Sequence, residues 1–246
     1  MADVRLRFLG CGDAFAAGGR FQTSFHLDDG EQSMLIDCGA TTLIALKRAG
    51  IESGSIGWVV LTHLHGDHFG GLPWLILDGQ FSKRTRPLVI AGPPETEARF
   101  GQAFEALYPG SSKAERPYEI RFVELPERVP SEVGPAVFTT FAVVHTPGTN
   151  PHAVRVQYGG KVIAYSGDTE WTDALLEAAD GADLFVCECQ EFDREVPGHL
   201  NYRTLSERRV ALGCRRLVLT HLGPDMLSRV DELDVEAATD GLVIEV

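Results

Sequence analysis

The sequence has no long apolar run, no regular cysteine spacing and no surplus of positive charge, and each absence excludes a class of protein. No stretch reaches the roughly 20 apolar residues that cross a bilayer as a helix. The opening residues Met1-Ala2-Asp3-Val4-Arg5-Leu6-Arg7-Phe8-Leu9 alternate like a strand and are not read as a signal peptide. Five cysteines, an odd number, do not make a disulfide scaffold and suggest free thiols in a reducing, cytoplasmic compartment. Lysine and arginine number 22 against 35 aspartates and glutamates, a formal net charge of −13. So acidic a chain lacks the basic surface that displaces counterions from nucleic acid, and stable nucleic-acid binding is not expected. Bound cations could still attract a phosphate-bearing small molecule. There is no tandem repeat and no low-complexity tract.

What remains is a chain of 246 residues, 44% hydrophobic, enough for a substantial core and read as one domain over 1–246. Short apolar runs alternate with helical patterns. Strands are expected at Val4–Leu9, Gln22–Leu27, Ser33–Asp37, Trp58–Thr62, Val137–Val144, Val162–Ser166, Leu184–Cys187 and Leu217–Thr220, among others. Helices are expected at Thr41–Ala49, Gly70–Leu77, Pro94–Leu107 and Tyr202–Leu212, among others. The Pro-, Glu- and Ser-rich stretch Leu125–Pro135 reads as a surface loop. Two strand-rich regions suggest two sheets packed face to face with helices outside. Several strands end in polar residues, namely Asp37, His63, Asp168 and His221, which gathers functional groups at one rim.

The strongest signal is Thr62-His63-Leu64-His65-Gly66-Asp67-His68-Phe69-Gly70-Gly71, which follows the apolar strand Trp58-Val59-Val60-Leu61. Four potential ligands within residues 63–68, at the mouth of a strand, are not ordinary core residues. Neutral imidazoles suit zinc, and a carboxylate is a compatible further ligand. His63 and His65 can reach one ion, and Asp67 and His68 a second.

His63-x-His65-x-Asp67-His68 resembles the signature of the metallo-β-lactamase superfamily. Three later segments match the family's remaining motifs in order: His145 after its strand, Ser166-Gly167-Asp168-Thr169, and Thr220-His221-Leu222. Upstream, Thr23-Ser24-Phe25 and Met34-Leu35-Ile36-Asp37-Cys38-Gly39 look like the family's opening hairpin. The resemblance covers nearly the whole chain. It implies an α/β (α+β) fold, a four-layer αβ/βα sandwich, and a dinuclear centre. His63, His65 and His145 would hold one ion, Asp67, His68 and His221 the other, and Asp168 would bridge them. Zinc is the first choice for both, with manganese or iron as alternatives.

Within the superfamily the details favour the ribonuclease Z-like, phosphodiesterase branch. His145 stands before a short loop and a strand, as in that branch, although His152 is a rival for the position. His199, in Gly198-His199-Leu200-Asn201, matches a histidine that acts near the leaving group there; the alternative is a helix-entry histidine without catalytic duty. Asp67 and His199 are the catalytic candidates. A long glycine-rich arm, common in ribonuclease Z between the third histidine and the bridging aspartate, has no room in residues 146–167. The expected substrate is therefore a small phosphodiester or cyclic nucleotide. An ester, lactone or thioester hydrolase is the alternative, and a non-catalytic metal-binding or sensing protein is a third reading. A homodimer is left open.

Other features read more plainly. Asp37 suits a carboxylate that orients a ligand histidine rather than a ligand. His26 reads as a core or rim residue, and Cys38, Cys187 and Cys189 as packing groups. The Gly10-Cys11-Gly12-Asp13 loop reads as a tight turn bordering the site. Trp74, Trp171 and Phe192 could line a pocket.

Overall fold

The computed structural model describes residues 3–246; Met1 and Ala2, where the N-terminal reading begins, lie outside it. Alternation such as Arg5-Leu6-Arg7-Phe8 sends successive side chains to opposite faces, and strands of this kind form two seven-stranded sheets. The first contains β1 (Arg5–Gly10), β2 (Ser24–Asp28), β3 (Ser33–Ile36), β4 (Trp58–Val60), β5 (Leu88–Gly92) and β6 (Ile120–Glu124), with β14 (Val243–Glu245) beside β1. The second contains β7 (Ser131–Val133), β8 (Ala136–Ala142), β9 (His152–Tyr158), β10 (Lys161–Tyr165), β11 (Leu184–Glu188), β12 (Leu217–Thr220) and β13 (Glu236–Ala237) in that spatial order.

Each sheet is antiparallel at one side and parallel at the other. β1 to β3 pair antiparallel and β3 to β6 parallel. β7 to β10 pair antiparallel and β10 to β13 parallel. Parallel neighbours need crossovers, which α1 (Thr42–Arg48), α2 (Gly66–Phe69), α3 (Leu72–Phe81) and α4 (Thr96–Leu107) provide for the first sheet. α5 (Ala174–Ala179), α6 (Tyr202–Arg208) and α7 (Pro224–Ser228) lie along the second.

Strand alternation then splits the core into three layers of side chains. Met34, Ile36 and Val60 face Phe138, Val156 and Val186 between the sheets. Phe25 ties this layer together, edge-on to Phe8 at 5.1 Å and to Tyr165 of the other sheet at 4.9 Å. Truncating so enclosed an aromatic ring typically costs about 3–5 kcal/mol. On the outer faces, Leu35, Val59 and Ile90 meet Leu46, Ile76 and Phe104 of the helices. Ala164, Phe185 and Leu219 meet Leu175, Leu205 and Met226. The result is the αβ/βα sandwich that the sequence implies. Among the described residues, no helix is long and apolar enough to cross a membrane.

Three segments differ from expectation. The stretch read as a loop at 125–135 contains β7, paired with β8 in a tight hairpin. The hairpin needs Gly134, whose φ is 60° and where a Cβ would lie 2.1 Å from the Trp58 ring. The helix expected at Gly70–Leu77 is α3, which starts at Leu72 with Pro73 in its first turn and runs on to Phe81; a separate short helix, α2, precedes it and ends before the Gly70-Gly71 pair. The helix expected to reach Leu212 tightens to a 3-10 turn over Arg209–Leu212 and stops at Gly213, φ 69°.

Candidate metal centre

The rim where both sheets end is built from turns that hold polar side chains inward. β3 runs into Asp37, which adopts φ 60°, and β12 runs into His221, φ 56°. Left-handed backbone at residues other than glycine is uncommon and marks positions held by their surroundings. Asp37 is held by its N–H on the Val60 carbonyl at 2.8 Å and by the Thr62 N–H on its Oδ1 at 2.8 Å. Gly39 lets this turn meet the histidine loop: a Cβ there would sit 1.9 Å from the Asp67 carbonyl oxygen.

Asp168 is the centre of the arrangement. Its Oδ2 lies 3.2 Å from Nε2 of His68 and of His221, 3.8 Å from Nε2 of His63 and 4.0 Å from Nε2 of His145. Asp67 Oδ2 is 3.2 Å from His68 Nε2 and 3.6 Å from His221 Nε2. His65 Nδ1 is 3.0 Å from His145 Nε2. Ligand-capable atoms of His63, His65 and His145 lie within 4.8 Å of one another, and so do those of Asp67, His68, Asp168 and His221. Nε2 of His63, His68 and His221 and Oδ1 of Asp168 are buried without a hydrogen-bond partner. Buried polar atoms normally have partners, so these orphans aimed at a common space fit a pair of cations. The donor set of imidazoles and carboxylates suits zinc.

The other ring nitrogens are tied back. His68 Nδ1 donates to Asp37 Oδ2 at 2.7 Å. The Thr62 hydroxyl gives its one hydrogen to Asp37 at 2.8 Å, so it accepts from His63 Nδ1 at 3.1 Å. Asp37 thus orients two histidines, one directly and one through Thr62, as its turn suggested. His145 Nδ1 donates to the Gly198 carbonyl at 2.7 Å. Each of these three rings therefore turns Nε2 inward, the arrangement metal-binding histidines use.

Charge follows burial and neighbours. Burial pulls His63 well below the usual imidazole value. It also pulls on His68, but Asp168, Asp67 and Asp37 outweigh it and hold that ring well above. Burial is likewise outweighed at His221, where Asp168 and Asp67 raise the imidazole to about 9. Burial pushes Asp168 up, yet His221 and His68 keep it well below the carboxylate range.

His199 adjoins the cluster, with its ring 4.8 Å from that of His145 and stacked 5.4 Å from that of His221. Its Nδ1 lies 3.0 Å from Oε1 of Glu188, which also accepts the Thr169 N–H at 2.7 Å. Burial lowers the His199 value, but Glu188 outweighs it and raises the ring. Glu188 is fully buried and escapes the sequence reading, where Cys187-Glu188-Cys189 raises only a question of thiols. The available signal was a charge ending an apolar strand at the rim already marked by Asp37, His63, Asp168 and His221.

The remaining candidates fall outside the cluster. His152 belongs to none of the ligand groups among the described residues, and its Nδ1 donates to the Asn150 carbonyl at 2.8 Å. His26 is buried on β2 with Nε2 2.6 Å from the Ser33 hydroxyl. Cys38, Cys187 and Cys189 are buried. The loop after Gly12 contributes Ala14 and Phe15 to a cavity that also touches His65, Asp67 and Trp74. Trp171 lines another cavity beside His199. Phe192 lines neither; it packs on Tyr202 at 5.1 Å and under Arg229.

This architecture is shared with solved structures. The metallo-β-lactamase fold protein YhfI from Bacillus subtilis matches with a TM-score of 0.81 and 23% identity, covering 99% of this chain and 100% of that one. The short form of human tRNase Z matches with a TM-score of 0.78 and 24% identity, covering 98% of each chain. In sequence, the ribonuclease Z of Agathobacter rectalis is 27% identical over 284 residues, 94% of this chain and 91% of the relative. Fold, motif order and relatives define a hydrolase of the metallo-β-lactamase superfamily in its ribonuclease Z-like branch. Within it, the chain belongs to the family described as Anti-Pycsar protein Apyc1, whose model matches residues 4–237. Two of these relatives are named as ribonucleases, which sits slightly at odds with the expectation that stable nucleic-acid binding is unlikely.

Proposed function

We propose that this chain is a phosphodiesterase for a small phosphodiester, a cyclic nucleotide in particular. The carrying observation is one carboxylate oxygen, Asp168 Oδ2, within 4.0 Å of Nε2 of four histidines, beside the Glu188–His199 pair. His63, His65 and His145 would hold one divalent cation, Asp67, His68 and His221 another, and Asp168 both. When bound, such a pair acidifies water and neutralises the equatorial oxygens of a phosphoryl group.

The chain's own groups do the rest. Asp37 and Thr62 fix the ring planes of His68 and His63 before any substrate arrives, so no reorganisation is needed on binding. Asp67, half-enclosed beside His68 and His221, is placed to orient the attacking water and take its proton. His199 has Nδ1 engaged by Glu188, which directs Nε2 to the departing oxygen and lets it give that oxygen a proton. The residues between His145 and Asp168 form one hairpin, β9–β10, and no arm for a folded RNA. The −13 net charge also favours a small substrate, and the five free cysteines favour a cytoplasmic setting.

The test is turnover by the purified protein on bis(p-nitrophenyl) phosphate, 3′,5′-cyclic AMP, a lactone and a thioester, with metal analysis of the same sample. Phosphodiester turnover with two ions per chain is expected. Dominant lactone or thioester turnover would transfer the assignment to carbonyl hydrolysis, and full metal loading with no turnover would make it a binding or sensing protein. His199→Ala should lower kcat on cyclic AMP by about 10²–10⁴-fold. It should cost much less on bis(p-nitrophenyl) phosphate, whose leaving group needs no proton.

A further inference from the structure

A cavity of about 350 Å³ lies where the outer face of β1 meets the last turn of α1 and the turn before β14, and it shares no residue with the metal cluster. Alternation along β1 places Arg7 and Leu9 on this outer face, while Phe8 turns to the core between the sheets. Arg48 from the last turn of α1, Phe21 and Asp240 complete the wall. The volume falls in the range of roughly 300–1,000 Å³ typical of small-molecule sites.

In so acidic a chain most arginines are engaged. Arg215 pairs with Asp183 at 2.9 Å and Arg216 with Glu236 at 2.8 Å. A larger cavity beside α3, about 720 Å³, also shows cations. There, however, Arg84 gives its hydrogens to the carbonyls of Ser53, Ile56, Arg86 and Pro87, and Lys47 gives one to Asp78. Arg7 and Arg48 differ. Among the described residues, neither side chain has a hydrogen-bond or ion-pair partner, and both line the same cavity. The one carboxylate in that wall is occupied: Asp240 Oδ1 accepts the Cys11 N–H at 3.1 Å, and Oδ2 accepts the Phe21 N–H at 2.8 Å.

We propose that this cavity binds the phosphoryl group of a small phosphate monoester, held between the guanidinium groups of Arg7 and Arg48. Arg48 lies over the Phe21 ring, 4.9 Å from its centre. Stacking uses the flat face of a guanidinium and leaves its in-plane N–H donors free. The ring thus steadies Arg48 without engaging the fork that matches a phosphate. A phosphate monoester presents three terminal oxygens and up to two charges, enough for two such forks, whereas a carboxylate satisfies one. Inorganic phosphate alone would leave much of the space unfilled, and Leu9, Ala45 and Phe21 beside the cations suit a carbon body. None of this depends on the chemistry of the metal cluster.

The test is equilibrium dialysis of the metal-loaded protein against radiolabelled inorganic phosphate, with displacement by glycerol 3-phosphate and by succinate. Phosphate also ligates metal centres, so the reading is the difference between the native protein and Arg7→Gln/Arg48→Gln at equal metal content. The native protein should bind one equivalent more per chain than the double variant. Arg48→Gln alone should weaken that equivalent by about tenfold or more. Because Arg48 is exposed on α1, this single variant carries the test should Arg7→Gln impair folding. Glycerol 3-phosphate should displace the extra equivalent at lower concentration than unlabelled phosphate does, and succinate should not displace it over the same range. Equal binding by the native and variant proteins overturns the proposal. Displacement by unlabelled phosphate but not by glycerol 3-phosphate makes this a site for the free ion and overturns the monoester. Displacement by succinate as readily as by glycerol 3-phosphate overturns the choice of phosphate.

Discussion

The first sheet delivers its part of the cluster from two adjoining loops, and the second delivers its part from five separated positions. Asp37, His63, His65, Asp67 and His68 follow β3 and β4, which pair in register from Met34↔Trp58 to Ile36↔Val60. Their hydrogen bonds to one another, through Thr62 and Asp37, form a local unit. Among His145, Asp168, Glu188, His199 and His221 the local link is the Glu188–His199 hydrogen bond, and the rest come from separate stretches of chain. They meet because β10, β11 and β12 are parallel and in register, Tyr165 opposite Val186 and Glu188 opposite Thr220. Residues just past the carboxyl ends of parallel neighbours share one rim, which is why ligand sites recur there. One half of the site is therefore set by local sequence, the other by the packing of a whole sheet.

Asp168 joins the halves, so Asp168→Ala should have the largest effect. Activity should fall by about 10³-fold or more, and metal analysis should show loss of both of the proposed ions, because the carboxylate proposed to serve the two is gone. Retention of one full equivalent would show that the halves bind independently and would break the picture of a joined centre. Next in size is Asp37→Asn, which loosens His68 and, through Thr62, His63. Metal affinity should drop by about 10–100-fold, the usual effect of removing a partner behind a ligand histidine. Unchanged affinity would show that packing alone orients these rings. Glu188→Gln should act in the second half only, through His199. We expect about a tenfold loss of kcat on cyclic AMP with metal content unchanged, measured on the same preparation. Loss of metal in this variant would place Glu188 among the groups that hold the cluster together.

The same division explains what could be read in the sequence. The loop at 63–68 is conspicuous because its chemistry is concentrated, and the ordered later motifs supply His145, Asp168 and His221. The structure brings all seven proposed ligands to one rim. The choice between His145 and His152 was a matter of register, which spacing alone does not fix; His152 opens β9 with its Nδ1 turned to the Asn150 carbonyl and joins none of the ligand groups among the described residues. Glu188 was hidden for the same reason. A glutamate between two cysteines looks unremarkable until β11 is laid beside β10 and β12. The β7 hairpin escaped because its composition is that of a loop, and only the contact of Gly134 with Trp58 shows why the chain turns there. The Asp37 turn was legible in role but not in geometry, since its left-handed backbone depends on the Val60 carbonyl of the neighbouring strand.

The smallest effect comes from a histidine that belongs to the first half but not to its site. His26 is buried on β2, and burial lowers its imidazole value, against Asp28, which raises it, and with Arg7 and Arg5, which lower it further. A lowered folded value means that the unfolded chain binds the proton more readily. The contribution to stability is thus absent well above the ordinary value near 6.5 and turns unfavourable as pH falls through it. His26→Gln removes that titration while keeping a group able to hydrogen-bond Ser33. At pH 7.5 the variant should be the less stable, through imperfect packing in a tight site. As pH falls to 5 the gap should narrow by about 1 kcal/mol, since each titrating group changes stability by at most about 1.4 kcal/mol per pH unit. Chemical denaturation of both proteins at the two pH values, with metal held constant, measures the gap. A gap that stays constant would show that burial does not shift the His26 imidazole on folding.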